Sequence, residues 1–382
     1  MRFLFVIQGE GRGHLTQAIS LAQLLQAAGH EVIRAMVGLA DRRPIPAFFA
    51  EQFPAPHTTL TTPELVYSPE NNRLKVGTTI WRGLKQVGTF RKSMRQLHQT
   101  IEAEHPDVVV NFFELLCGLT YALHRPTAPV VSVGHQFMAF HPDFIFPKGK
   151  RLDRLVFIAL VRLNAVGSAE LLGLSFDEQP HAPDQRLRVV PPLLRREIQS
   201  LSPTTEPFFL AYTTQPGLRS VVLEAHRQLP QQALRYYHAG ATAPETQLDA
   251  TLTECQLDGQ RYLTDMARCT AVVSTAGFES VCEAMWLGKP VLMMPQPNHY
   301  EQACNALDGQ RAGAGRATDT FDLAGFSQYL SQHDAAVSPR FRAWQSRVGG
   351  AFLAALSRVA TAKKTATLPT EPARSAEHAH TA

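Results

Sequence analysis

The chain has 382 residues, 45% of them apolar and 18% charged, with a net charge of +4. That size holds two ordinary domains, and the balance excludes a disordered chain and gives no footing for a nucleic-acid partner. Five scattered cysteines without a CxxC pair fit reduced thiols in a cytoplasmic protein rather than a disulfide framework or zinc site.

Strand and helix signals then alternate along the chain, the pattern of parallel α/β layers. Residues 2–8, RFLFVIQ, are too short for the apolar core of a signal peptide and read as a first strand. The strand empties through Gly9, Gly11 and Gly13 into a helix expected over 14–28, with Leu15, Ala18, Ile19, Ala22 and Leu25 on one face and Gly29 as its stop. His14 stands at the start of that helix. A strand leading through glycines to a helix N-terminus suits an anionic ligand. An imidazole there adds a proton acceptor that titrates near neutrality. A lone histidine at a helix start reads as ordinary first-turn polarity; Gly11 and Gly13 before it favour a working one.

HEVIRAMVG is the second expected strand, and a long basic helix covers 80–104. DVVVNFF and APVVSVG are continuous apolar runs, as expected of parallel strands buried on both faces. Glu114 follows the first of them and is a candidate to orient or replace His14. His135 and Gln136 follow the second. The run FPKGKRLDRLVFIALVRL mixes five basic residues with leucines and valines. It reads either as a core-packing helix with a solvated basic flank or, with the basic helix near 82–95, as a contact for an anionic membrane. No stretch reaches the roughly 18 uninterrupted apolar residues of a membrane span, so the expected location is the cytoplasm, with the inner face of the membrane as a second address.

RVVPPLLRREIQSLSPTTEP carries four prolines and a Ser/Thr cluster, the composition of a linker. The alternation restarts at FFLAYTT, continues through ALRYYHAG and reaches CTAVVSTAGFESVCEAMWLGKPVLMMP, whose length fits one βαβ unit. A last amphipathic helix is expected over 339–360, and the residues beyond Lys363 have the composition of a disordered tail. The expected fold class is therefore α/β, with two Rossmann-like domains facing a central cleft. The expected division is an N-terminal acceptor domain over 1–194, a linker over 195–206, a C-terminal donor domain over 207–335, a helix over 336–362 and a tail over 363–382. Ligands in such folds bind outside the C-terminal ends of the strands.

In the C-terminal unit, Ser274, Thr275, Ala276 and Gly277 precede a helix, and the free N–H groups and dipole of such a turn favour a phosphate. Glu283, about a turn and a half on, suits bidentate bonding to a ribose diol; alternatively Ser280 and Glu283 form a capping box for a helix that starts later. Glu301 and Gln302 open the next helix toward the same cleft and suit sugar hydroxyls. No Asp-x-Asp pair occurs in the chain.

STAGFESVCEAM-x-LGKP followed by EQ-x-x-NA resembles the donor-binding signature of GT-B glycosyltransferases. It is similar to the lipid-II-forming N-acetylglucosaminyltransferase of peptidoglycan synthesis, to galactosyldiacylglycerol synthases and to the UDP-glycosyltransferase superfamily, nearest to a prokaryotic branch with an N-terminal GxGH. The likeness covers most of residues 1–335. It implies inverting transfer of a sugar from a nucleotide-sugar donor, a UDP-sugar first of all, to a hydroxyl acceptor that is a candidate for lipid linkage. It also implies the diphosphate at Ser274, Thr275, Ala276 and Gly277, the ribose on Glu283, the donor sugar on Glu301 and Gln302, and the base against Leu263 backbone groups. His14 becomes the base or a phosphate ligand, and His135 and Gln136 become acceptor contacts. Because the Asp-x-Asp pair of the other glycosyltransferase fold is missing, the resemblance implies no metal and no other cofactor, with helix dipole and N–H groups holding the leaving diphosphate instead. Two departures stand out. YTTQPG replaces a GGS-like loop, leaving Thr213 and Thr214 to supply hydroxyls, and GEGRGH adds the charges of Glu10 and Arg12 to the first turn.

A nicotinamide dehydrogenase fails on the spacing of Gly9, Gly11 and Gly13 and on Val37-Gly38, where an acidic residue is needed. An epimerase or hydrolase on the same fold, and a non-catalytic nucleotide-sugar sensor, remain as alternatives.

Overall fold

The computed structural model describes residues 1–40, 44–63, 76–180, 186–213 and 215–367. Each half of the alternating pattern becomes a seven-stranded sheet. The first contains β1 (Arg2–Gln8), β2 (Glu31–Leu39), β3 (His57–Thr61), β4 (Val108–Phe112), β5 (Val130–Gly134), β6 (Ser168–Leu174) and β7 (Leu187–Val190). Its order is β3-β2-β1-β4-β5-β6-β7, parallel throughout. The second contains β8 (Phe208–Thr213), β9 (Ala233–His238), β10 (Glu245–Gln247), β11 (Leu252–Gln256), β12 (Ala271–Ser274), β13 (Val291–Met293) and β14 (Gly315–Ala317). Its order is β10-β11-β9-β8-β12-β13-β14, and only the edge strand β10 runs antiparallel.

The strand order reverses between β1 and β4 and again between β8 and β12. Chains leaving neighbouring strands there turn to opposite faces and open a crevice. Both glycine-containing turns singled out in the sequence follow a strand at such a point, one after β1 and one after β12. The first turn requires its glycines. A Cβ on Gly9 would stand 2.5 Å from Leu39 Cδ2 and 2.6 Å from the Gly38 oxygen, and Gly11 has φ +86°.

Helices cover both faces of the first sheet. Helix Gly13–Ala27 and the C-terminal helix Val348–Thr367 share one core with Phe3, Phe5 and Phe112. On the other face, helices Val76–Glu104 and Leu115–His124 bring Leu97, Ile101, Cys117 and Tyr121 against Leu4, Val6 and Val109. Helix Arg151–Asn164 continues that layer, with Phe157 and Val161 packed on Leu171 and Leu187.

The single last helix expected over 339–360 is two helices, Val337–Gln345 and Val348–Thr367, because the chain breaks near Ser346 before Gly349 and Gly350. Residues 363–367, expected in the tail, continue the second of them; the remainder of the expected tail lies outside the described residues. This last helix returns to the first sheet, where Arg358 donates to both oxygens of Glu170 on β6 at 2.6 and 2.9 Å. Phe352, fully buried there, ties the end of the chain to its beginning. Phe352→Ala is expected to destabilise the protein by about 3–5 kcal/mol in chemical denaturation; an unchanged midpoint would mean that the helix does not pack on this sheet in solution.

Candidate functional site

Two helix N-termini meet where the halves touch. Helix Gly13–Ala27 begins after Arg12 with no side-chain cap. Opposite it, Ser274 Oγ accepts from the Ala276 N–H at 3.1 Å, Ala276 adopts φ +59°, and Gly277 is the uncapped start of helix Phe278–Leu287. Asn305 Nδ2 holds the Ala276 oxygen at 3.1 Å and so fixes the turn. A left-handed non-glycine residue costs about 1–3 kcal/mol and persists only where its surroundings enforce it. The capping-box alternative is not adopted: the helix already starts at Phe278, and Ser280 Oγ donates to the Gly277 oxygen at 3.0 Å.

The two ends are stitched by a row of side chains. Gln17 Nε2 donates to Glu279 Oε1 at 2.5 Å, across the seam. Its amide oxygen therefore faces His14 Nδ1, 3.3 Å away. These partners assign the proton to Nδ1 and leave the lone pair on Nε2. Gln136 Nε2 donates to Glu301 Oε1 at 3.1 Å and lies 3.5 Å from His14 Nε2. Phe113, itself at φ +55°, stacks on the imidazole with 6.0 Å between centroids. Burial lowers the His14 pKa from its ordinary 6.5, while Glu301 and the Gln17 bond pull the other way. The ring is neutral at pH 7, and its Nε2 carries a lone pair whose only described partner is the Gln136 amide at 3.5 Å.

Glu279 completes the row. Burial pushes its pKa up to about 8, Glu283 adds to the shift, and Gln17 and Arg195 oppose it. Its Oε2 is buried and, among the described residues, has no hydrogen-bond partner. A carboxyl in this condition is protonated at neutral pH and offers a donor beside the turn at 274–277.

Several expected roles change. Glu114 does not orient His14; its Oε1 caps helix Leu115–His124 by accepting from Leu116 N–H at 3.1 Å, and Oε2 rests against Gly38. Burial raises its pKa to about 7, with Glu10 adding. Gln17 takes the orienting position instead. His135 does not open toward an acceptor: its Nδ1 donates to the Leu174 oxygen at 2.7 Å and its ring stacks on Phe278 at 4.3 Å, a packing contact between the halves. Leu263 sits in the middle of helix Gly259–Arg268 with its side chain buried, so helix bonding takes the backbone groups expected to face a base. The Thr213 side chain is buried, its hydroxyl 2.6 Å from the Tyr236 hydroxyl, while Thr214 lies outside the described residues. Glu283 is buried, and Arg195 donates to both its oxygens at 2.5 and 2.9 Å. Gln302 turns its amide oxygen to the Gln296 N–H at 2.9 Å. Gln136 and Glu301 do come together at the seam, beside His14.

The sequence reading missed Gln17, Glu279 and Arg195. Gln17 lies three positions after His14, on the same side of the helix, and that spacing was the available signal. Arg195 sits in the linker, where composition gives none. Among the described residues no three His, Cys, Asp or Glu are grouped to hold a metal ion. A cavity of about 660 Å³ lies elsewhere, where β8, β9 and β11 begin; Arg235, Glu245, Arg261 and Asp265 line it and largely pair with one another.

A family model described as glycosyl transferase family 1 matches residues 1–333. The UDP-N-acetylglucosamine--N-acetylmuramyl-(pentapeptide) pyrophosphoryl-undecaprenol N-acetylglucosamine transferase of Lactobacillus acidophilus is 46% identical over 56 residues, 14% of this chain and 15% of that relative's length. Among solved structures, the calicheamicin glycosyltransferase CalG4 superposes with TM-score 0.61 at 18% identity, covering 97% of this chain and all of that one. UGT2 of Phytolacca americana, solved with UDP-2fluoro-glucose and pterostilbene, gives TM-score 0.63 at 14% identity, over 95% and 99% of the two chains. MurG of Acinetobacter baumannii gives 0.55 at 14%, over 94% and 99%. These are GT-B structures, and the fold is theirs.

Glu279 and Glu114 carry a signature in stability. Each has a folded pKa above the unfolded value near 4.5, so the folded state holds extra protons between that value and about 8 or 7. The stabilising share is full below about pH 4.5 and is lost as pH rises through the folded pKa. Glu279→Gln is therefore expected to reduce the fall in Tm between about pH 5 and 8.5 by ~1–3 °C. An undiminished fall in differential scanning fluorimetry would show a solvated carboxyl.

Proposed function

The chain belongs to glycosyl transferase family 1, and from that premise we propose that it is an inverting, metal-independent transferase with His14 as base. It moves a sugar from a nucleotide donor, a UDP-sugar first of all, to a hydroxyl acceptor. The observation that carries the reading is the row Glu279–Gln17–His14–Gln136–Glu301, which joins both halves and leaves the lone pair of His14 Nε2 with only the Gln136 amide, 3.5 Å away.

The acceptor hydroxyl approaches His14 Nε2 and gives up its proton there as its oxygen bonds to the anomeric carbon. The bond from that carbon to the donor phosphate breaks on the far side, which inverts the centre. Gln17 holds the Nδ1 proton through the step, and the Glu301 carboxylate stabilises the imidazolium. The departing diphosphate gathers charge between the two helix N-termini, where backbone N–H groups and both dipoles oppose it. Glu279, neutral at pH 7, donates to that charge rather than repelling it. Glu301 and Gln302 serve the donor sugar, and ribose hydroxyls reach Glu283 by displacing the Arg195 guanidinium. The absence of an Asp-x-Asp pair from the chain supports a reaction without a metal ion.

Thermal shift against UDP, GDP, TDP, CDP, NAD and NADP is the first test. One nucleoside diphosphate is expected to stabilise the protein, with the effect lost in Glu283→Ala. Stabilisation by NAD or NADP alone would overturn the reading, and donor turnover by water with no transfer to any alcohol would favour the hydrolase. With an acceptor in hand, His14→Ala is expected to lower kcat by about 10²–10⁴ with KM little changed. The acid limb of kcat/KM lies below pH 6.5 because the His14 pKa is lowered. Gln17→Leu removes a bond that raises that pKa, so the limb moves to still lower pH while kcat falls; an unmoved limb would remove Gln17 from the mechanism.

A further inference from the structure

Large apolar side chains exposed on this protein are concentrated in one place. Of eleven such residues among the described ones, eight lie between positions 81 and 163. Trp81 and Leu84 stand on helix Val76–Glu104, Leu123 on helix Leu115–His124, and Leu152, Leu155 and Leu163 on helix Arg151–Asn164. These three helices lie side by side on the same face of the first sheet. Their inner residues meet that sheet, so the exposed ones project away from it together. Leu152 is 72% exposed and Leu84 68%.

Helix Arg151–Asn164 shows the oddity most clearly. Its core contact is made by Phe157, Val161 and Asn164. Leu152, Leu155, Ala159 and Leu163 recur at three- and four-residue spacing and form a second stripe, all exposed. A helix that only covers a sheet needs one apolar stripe.

Charge follows the same residues. Positions 76–100 hold five Lys and Arg and no Asp or Glu; positions 144–164 hold five and one. Together they carry +9, against +4 for the whole chain, so everything else sums to −5. Lys85 Nζ lies 3.5 Å from the centre of the Trp81 ring, and the Arg154 guanidinium 4.0 Å from that of Phe146. Cationic heads beside aromatic rings, with leucines projecting between them, match the boundary between lipid headgroups and acyl chains.

We propose that this three-helix face lies on an anionic phospholipid bilayer. No helix among the described residues is long and apolar enough to cross a membrane, so the contact is peripheral. Exposed leucines spread over three helices inside a positive field suit a soft negative surface better than a shaped protein partner. The face adjoins the seam: Phe157 packs against Tyr300, the residue before Glu301, at 5.6 Å. If the transfer reading holds, the crevice opens beside the bilayer, and a hydroxyl carried by a lipid is the class of acceptor within reach; the docking itself does not depend on that reading.

Sedimentation of the full chain with vesicles tests it. Partition onto phosphatidylcholine vesicles containing about 30% phosphatidylglycerol is expected to exceed partition onto phosphatidylcholine alone at least ~10-fold, and to fall in about 0.5 M salt. Trp81 emission is expected to shift to the blue on anionic vesicles, a change absent in Trp81→Phe. Leu84→Ser with Leu152→Ser and Leu155→Ser is expected to lower partition about tenfold at an unchanged Tm. If that variant is unstable, Lys148→Glu with Lys150→Glu reads the charge share instead. Equal partition onto both vesicle types, or none, overturns the proposal. So does self-association without vesicle binding, or binding of polyglutamate with no shift of Trp81 on vesicles. None of these readouts uses turnover, so their failure and the failure of the transfer reading are told apart.

Discussion

One carboxamide, that of Gln17, fixes the chemistry on both sides of the seam. It gives its N–H to Glu279 and its oxygen to His14. Turning it over would offer His14 Nδ1 a donor in place of an acceptor and so move the imidazole proton to Nε2. In its observed orientation, His14 carries its lone pair on Nε2, and Glu279 Oε2 stays buried without a hydrogen-bond partner among the described residues. His14 and its partners Gln17, Gln136 and Phe113 belong to the first half, and Glu279 and Glu301 reach them from the second, so the row is complete only where the halves meet. That dependence explains why the end of the chain returns to the first sheet: Phe352 and the Arg358–Glu170 pair bind the two halves through a third contact away from the crevice.

Bringing the halves together buries polar groups that are poorly matched. His135 Nε2 and Asp308 Oδ2 stand 3.7 Å apart, each buried without a hydrogen-bond partner among the described residues, as are Gln136 Oε1 and Glu279 Oε2. Each costs about 1–3 kcal/mol. The offset comes from aromatic packing, His135 and Phe176 against Phe278 at 4.3 and 4.6 Å. Left-handed Phe113, Ala276 and Asn298 lie on loops at the C-terminal ends of β4, β12 and β13. Strain and imperfect pairing thus concentrate around the crevice, while the sheets beneath it are ordinary close-packed cores.

Much of the fold was legible because it is local. β1, β4, β5 and β12 are near-continuous apolar runs, and burial on both faces requires such runs. The turn at Gly9 and Gly11 and the one ending at Gly277 were legible because only small residues pass there. What failed was pairing over distance. Gln17 meets Glu279 across 262 positions, and Arg195 meets Glu283 across 88; no periodicity records either. Leu263 was misplaced for a local reason that was readable: Asp258 caps a helix by accepting from Arg261 N–H at 2.8 Å, and the residues after it alternate as a helix does. Glu114 looked catalytic because it sits at a strand end, yet an acid two residues before a helical N–H is as often its cap.

The seam is unevenly held, and the unevenness has a direction. Arg311 and Asp177 are 27% and 38% exposed at the side chain, a pair that water competes for and that contributes little. Arg195–Glu283 is the reverse, with Glu283 almost fully buried, so breaking it exposes a charge to an apolar surround unless a new partner arrives at once. The rim at Arg311 therefore opens at low cost, whereas the Glu283 end yields only to a ligand that replaces Arg195 donor for donor. In the proposed reaction a ribose diol would meet that requirement, whereas a phosphate, bringing a second negative charge, would not; the nucleotide end of the donor would then supply the energy that opens the Arg195–Glu283 contact, as catalysis by differential binding requires.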